Sequence, residues 1–117
     1  MYLCISIYYN KIKSNKKMKL INEEIKNILP KLFEQDDKGL NAIAYVKFFT
    51  PDSNWTWYAT EFDGKDTFFG LIDGLCKELG YFSLSELESV KGALGLKIER
   101  DLYFELTTLE ELMKEKP

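Results

Sequence analysis

Histidine is absent from all 117 residues. That removes Ser-His-Asp and Cys-His nucleophilic catalysis, histidine general-base chemistry and any Cys/His zinc site. An enzyme built on this chain would have to work with carboxylates, lysine, tyrosine or a carboxylate-bound hard metal. Cysteine is nearly absent as well: Cys4 and Cys76 make neither a ligand pattern nor a disulfide framework, which fits a reducing, intracellular setting. No apolar run approaches the ~20 residues of a membrane span, and no membrane partner is expected. No motif calls for a cofactor. What remains is an ordinary globular mixture, 45% hydrophobic and 30% charged, long enough for one domain with a core of its own.

Positive charge is concentrated at the start. Residues 1–17 hold Lys11, Lys13, Lys16 and Lys17 and no acid, so removing them from a net charge of −3 leaves −7 on the remainder. An acidic body disfavours broad binding to a nucleic-acid backbone. In "YLCISIYYNKIKSNKK" the charges follow the apolar stretch, the reverse of a signal peptide. Composition changes abruptly at Met18. We read residues 1–17 as a flexible arm or an upstream-start extension, and 18–117 as a single domain.

From Asn22 the pattern becomes helical: Ile21, Ile25, Ile28, Leu29 and Leu32 share one stripe of a 3.6-residue period. Asn22 is a natural cap, Glu23 and Glu24 suit the first turn, and Pro30 should stop the helix near Leu29. "EQDDKG" reads as loop. "NAIAYVKFF" (41–49) and "WTWYATEF" (55–62) read as strands joined by the turn "TPDSN". Asp63-Gly64 predicts a two-residue type I′ turn, with "KDTFFGLI" (65–72) returning antiparallel. Gly74 and Gly80 bracket a short stretch leading to "YFSL", a short strand or turn. Ser83 and Glu86 form a capping box for a helix to about Val90; "LKIERDLYF" (96–104) predicts another strand; Thr107 and Glu110 suggest a second capping box before "TLEELMKE". The expected class is α+β: an antiparallel meander of about four to five strands, with two to three helices mainly on one face.

The aromatic residues of "WTWYATEFDGKDTFFG" dominate the middle of the chain. Strict alternation puts Trp55, Trp57 and Ala59 on one face, and Thr56, Tyr58, Thr60 and Phe62 on the other. Phe69 and Leu71 then oppose Phe68 and Ile72. One face must meet the helices; the other is either covered too or is an aromatic surface. If exposed, Trp55, Trp57, Tyr58, Phe68, Phe69 and Tyr81 are candidate anchors for a protein partner or for stacking on unpaired bases. Lys47, Lys65 and Lys97 could supply phosphate contacts, but they are too few and too scattered for a basic patch.

One catalytic spelling stands out. Pro51-Asp52 followed by Asp63-Gly64-Lys65 resembles the PD…DxK pattern of metal-dependent nucleases, with Glu61 nearby. The chemistry needs the second carboxylate and the lysine side by side on one strand. Here Asp63 belongs to a turn, and a strand of roughly 20 Å separates it from Asp52. The remaining acids, Asp66, Asp73, Glu99 and Asp101, read as turn residues and surface ion pairs.

The stretches "WTWYATEFDGKDTFFGLIDG" and "ELGYFSLSELESVKGALGLKIERDLYF" resemble the bacterial domain-of-unknown-function family numbered 2958, from about Leu29 to Leu112. The resemblance implies a small single-domain protein of plasmids, integrated conjugative elements and prophages, found near anti-restriction and transfer genes. It also implies a role in countering host defence. The expectation is therefore a non-enzymatic, cytoplasmic binding protein: an anti-CRISPR-type inhibitor engaging a host defence protein or ribonucleoprotein complex, RNA included. The alternatives are a metal-dependent nuclease or hydrolase using Asp52, Glu61, Asp63 and Lys65, and a nucleic-acid accessory protein of plasmid transfer or maintenance.

Overall fold

The hairpin announced by Asp63-Gly64 forms, but not through a two-residue turn. In a computed structural model describing residues 20–114, β3 (Thr56–Phe62) and β4 (Thr67–Asp73) are joined by a four-residue loop. Gly64 takes φ +86°, whereas Asp63 lacks the positive φ that a type I′ turn needs at both centres. Instead the Asp63 carboxylate closes the loop: its Oδ1 accepts the backbone N–H of Lys65 (2.8 Å), Asp66 (2.8 Å) and Thr67 (3.0 Å).

Around this hairpin lie α1 (Glu23–Ile28), a 3₁₀ helix (Asp36–Asn41), β1 (Ile43–Ala44) and β2 (Val46–Phe49). After it come β5 (Lys77–Ser83), α2 (Leu84–Ser89), β6 (Glu99–Arg100), β7 (Thr107–Thr108) and α3 (Leu109–Lys114). The main sheet is antiparallel, in the order β5-β4-β3-β2-β6, and β1 pairs separately with β7. The fold is α+β, as composition and pattern predict. The arm at residues 1–17 lies outside the described residues.

Several boundaries moved, each for an identifiable reason. "EQDDKG" is partly a 3₁₀ helix rather than loop. The strand expected over 41–49 is broken at Tyr45, whose N–H donates to the Ala59 carbonyl (2.9 Å) while Ile43 and Ala44 turn to β7. The strand expected over 96–104 shortens to Glu99–Arg100, because Asp101 Oδ1 takes the Tyr103 N–H (2.9 Å) and folds the chain away. A full strand, β5, occupies the stretch that its glycines disguised as turn. Gly70 and Gly80 are cross-strand neighbours, and a Cβ on Gly70 would lie 1.8 Å from the Tyr58 carbonyl oxygen. The last helix is capped one residue later than expected, by Thr108 Oγ1 accepting from Glu111 N–H (3.3 Å). The Asn22 cap forms as read, on Ile25 N–H (2.8 Å). Ser83 caps Glu86 N–H (3.0 Å), while the Glu86 carboxylate accepts from the Ser83 hydroxyl (3.1 Å) in place of the capping box's reciprocal backbone bond.

A bulge in β3 decides the packing. Ala59 faces Gly70 and Glu61 faces Phe69, leaving Thr60 as the extra residue. The bulge moves Phe62 to the face carrying Trp57, contrary to strict alternation. There it stacks on Phe68 (ring centroids 4.4 Å apart), which in turn stacks on Phe82 (5.2 Å). Leu20, Ile21, Leu29 and Leu87 complete this first core, so α1 and α2 cover one face. The second face has a core of its own, in which Tyr58 and Leu71 meet Ala42, Ala44, Leu109 and Leu112 from the β1 segment and α3.

Candidate functional site

Burial divides the six aromatic candidates. Trp57, Tyr58 and Phe68 are buried and serve the two cores, so they cannot act as surface anchors. Trp55 is 39% exposed; its ring stacks on Trp57 (6.0 Å) and lies over Gly74. Phe69 is half-buried and Tyr81 is 56% exposed; the two meet edge to face at 5.0 Å. The structure thus brings Phe69 and Tyr81 together and leaves Trp55 elsewhere.

Phe69 and Tyr81 belong to a groove of about 300 Å³ on the second face of the sheet. The sheet contributes Thr60, Phe69, Leu79 and Tyr81 to its lining, the segment before β1 contributes Phe33, Asp36, Gly39 and Leu40, and α3 contributes Leu109. Leu79 and Leu40 are each 44% exposed, and Phe33 is 65% exposed. Sequence reasoning missed these three, since isolated apolar residues in a turn or an edge strand carry no periodic signal.

Two buried polar side chains hold the segment before β1 in place. Glu61, which the bulge turns toward the groove, is 5% exposed. Its Oε1 accepts the Phe33 N–H (2.9 Å) and its Oε2 the Gln35 N–H (2.7 Å). Gln35 then donates through Nε2 to the carbonyls of Ile43 (2.9 Å) and Thr60 (2.8 Å), and its Oε1 accepts the Ile43 N–H (2.8 Å). Buried polar atoms need such partners, and these tie residues 33–43 across the end of β3. Within that grip Phe33 adopts φ +73°, the left-handed region that a phenylalanine rarely enters. An exposed aromatic ring is thereby held in a strained backbone by a buried carboxylate.

The nuclease residues do not converge. Asp52 Oδ2 accepts the Leu94 N–H (2.7 Å), while its Oδ1 is buried against Gly92. Glu61 and Asp63 are spent on backbone N–H groups, and Lys65 lies exposed in the hairpin loop. The backbone bonds, that from Lys65 foremost, hold the Asp63 carboxyl below its ordinary 3.8 against the opposing effect of desolvation. Burial pushes the Glu99 carboxyl above 4.5. Among the described residues no three acidic or cysteine side chains gather as a metal site. Cys76 Sγ donates to Glu78 Oε1 (3.1 Å), and that hydrogen bond raises the thiol above its ordinary 9.0, the opposite of nucleophilic activation.

A wider depression of about 720 Å³ opens at the far end of the same face, beside Lys47, Tyr58, Asp73 and Lys77. Both of its lysines are engaged. Lys47 pairs with Asp101 (3.8 Å) above the Tyr58 ring, and Lys77 Nζ donates to the Leu112 carbonyl (2.7 Å). The lining of this depression is evenly mixed, whereas that of the first groove is predominantly apolar. Among the described residues no helix is long and apolar enough to cross a membrane.

Neither the curated proteins nor the solved structures provide a match. A family model does: "Protein of unknown function (DUF2958)" matches residues 17–113, the whole of both cores and the groove. The chain belongs to that family.

Proposed function

We propose that this protein is a non-enzymatic binding protein, and that the groove between the 3₁₀ helix and β5 is where it grips a partner protein. The observation that carries the reading is Phe33. Strained backbone persists where surrounding structure enforces it and concentrates at sites of binding and switching. Glu61 enforces it here, and the product is an exposed ring beside Leu40, Leu79 and Tyr81. Exposed aromatics around a concave apolar patch are the usual anchors of protein recognition. Asp36 lines the same groove, in an exposed segment that carries Glu34 and Asp37 beside Lys31 and Lys38. The small local excess of acid, within an acidic body, suits a partner segment with an apolar anchor flanked by basic residues, and it opposes nucleic-acid phosphate.

The class of partner comes from the resemblance in the sequence. A small acidic protein of a mobile element, acting on host defence, fits an inhibitor that occupies a basic surface of a defence effector. An anti-CRISPR role is the specific form of this proposal. The test is affinity capture from a bacterial host with nuclease-treated lysate, comparing wild type with Phe33→Ser and Tyr81→Ser. A specific protein should be retained by wild type and reduced at least tenfold by either substitution, with the melting temperature little changed. Retention that is indifferent to both substitutions would sink the groove reading. Retention abolished by nuclease treatment would replace the protein partner with a nucleic acid.

A further inference from the structure

The groove leaves one surface unexplained: the outer edge of β5, the terminal strand of the main sheet. Leu84 donates its N–H to the Asp66 carbonyl (2.7 Å), continuing the register that pairs Thr67 with Ser83. Backbone groups alternate in direction along a strand. Glu78, Gly80 and Phe82 therefore turn theirs toward β4, and Leu79 and Tyr81 turn theirs outward. Among the described residues no strand pairs with that edge. An open edge with apolar side chains is a template for another strand.

We infer that the occupant is β5 of a second copy, paired antiparallel about a two-fold axis through Gly80. The sequence of β5, KELGYFS, is self-complementary in that register. Leu79 faces Tyr81 of the second copy, so their outward N–H and C=O groups exchange bonds and their side chains form an aliphatic–aromatic cross-strand pair. Lys77 faces Ser83 and Glu78 faces Phe82, so no like charges oppose each other. A one-residue slip would set outward groups against inward ones, and a two-residue slip would leave an end of the strand unpaired. Residues of the same parity face each other, which keeps side chains on their own faces. The two grooves then open on the same side of one continuous sheet, and the dimer is bivalent toward a repeated or two-fold partner.

Gly80 makes the inference testable separately from the groove, because its side-chain position lies on the opposite face. A Cβ there would meet only Ile72 Cδ1, at 3.8 Å, so the folded monomer accommodates one. At the two-fold the paired Cα atoms stand about 4.5 Å apart, within reach of a disulfide. Sedimentation equilibrium of the full chain over a concentration series should show a monomer–dimer equilibrium for wild type and for Gly80→Ala. Gly80→Asp, opposing two like charges, should weaken it at least tenfold with an unchanged circular dichroism spectrum. In a Cys4→Ser/Cys76→Ser background, Gly80→Cys should cross-link under mild oxidation. Wild-type protein that stays monomeric at every concentration overturns the inference. So does a dimer that ignores Gly80→Asp and fails to cross-link. Neither result touches partner capture by the groove.

Discussion

Phe33 and Glu61 form a pair in which one residue stores strain and the other enforces it. A left-handed backbone costs a non-glycine residue about 1–2 kcal/mol, and glycine returns part of that through its own entropy. Phe33→Gly should therefore keep or raise stability, by up to about 1 kcal/mol, while losing partner capture. Glu61→Ala should do the reverse damage. It strands the buried N–H of Gln35 and the half-buried N–H of Phe33, costing about 2–4 kcal/mol. Chemical denaturation of both variants decides the matter: a Phe33→Gly protein markedly less stable than wild type would show that the ring, not the strain, matters there. Asp63 supports a different measurement. Its folded pKa is depressed, so its stabilisation is fully present above the ordinary 3.8 and is lost as pH falls through the lower folded value. The side chain is solvent-exposed, which keeps the effect small. The stability gap between wild type and Asp63→Asn should shrink as pH drops below about 4; parallel pH curves would contradict this.

At the scale of elements, the hairpin loop and α2 are joined. Ser83 caps the helix on the Glu86 N–H, and Asp66 in the loop accepts from both the N–H and the Oγ of Ser85 (2.9 Å each). Two caps therefore anchor one helical turn, and α2 brings Leu87 into the first core. Ser83→Ala and Asp66→Ala should each cost about 1 kcal/mol in thermal or urea unfolding. Their double variant should deviate from the sum, because both act on the same turn. Strict additivity would mean that the caps are independent. The Ser83 cap was legible in the sequence, since a capping box is a local pattern four residues long. The Asp66 contribution was not, because it spans 19 residues and depends on the β4–β5 register. The same distinction separates the correct Asn22 cap from the strand wrongly extended past Asp101, where a side chain outcompeted β-propensity.

For the whole molecule, the net charge of −7 on residues 18–117 predicts how association with a basic partner should respond to salt. Steering by that charge should raise the association rate at low ionic strength and leave dissociation largely unchanged. Surface-based kinetics with the captured partner at two salt concentrations would check it; a salt-independent association rate would remove the acidic charge from recognition. Taken alone, the sequence determined the α+β class, the central hairpin, two helix caps and the exclusion of histidine chemistry. Those features follow from composition and from contacts a few residues apart. Tertiary structure decided which aromatics are buried, where β3 bulges, and that Phe33 is held outward in a left-handed conformation. The bulge exchanges the faces of Phe62 and Glu61, and Glu61 reaches back 28 residues to Phe33. Period-two alternation carries no information about either event, because both are fixed by hydrogen bonds between segments that only the fold brings together.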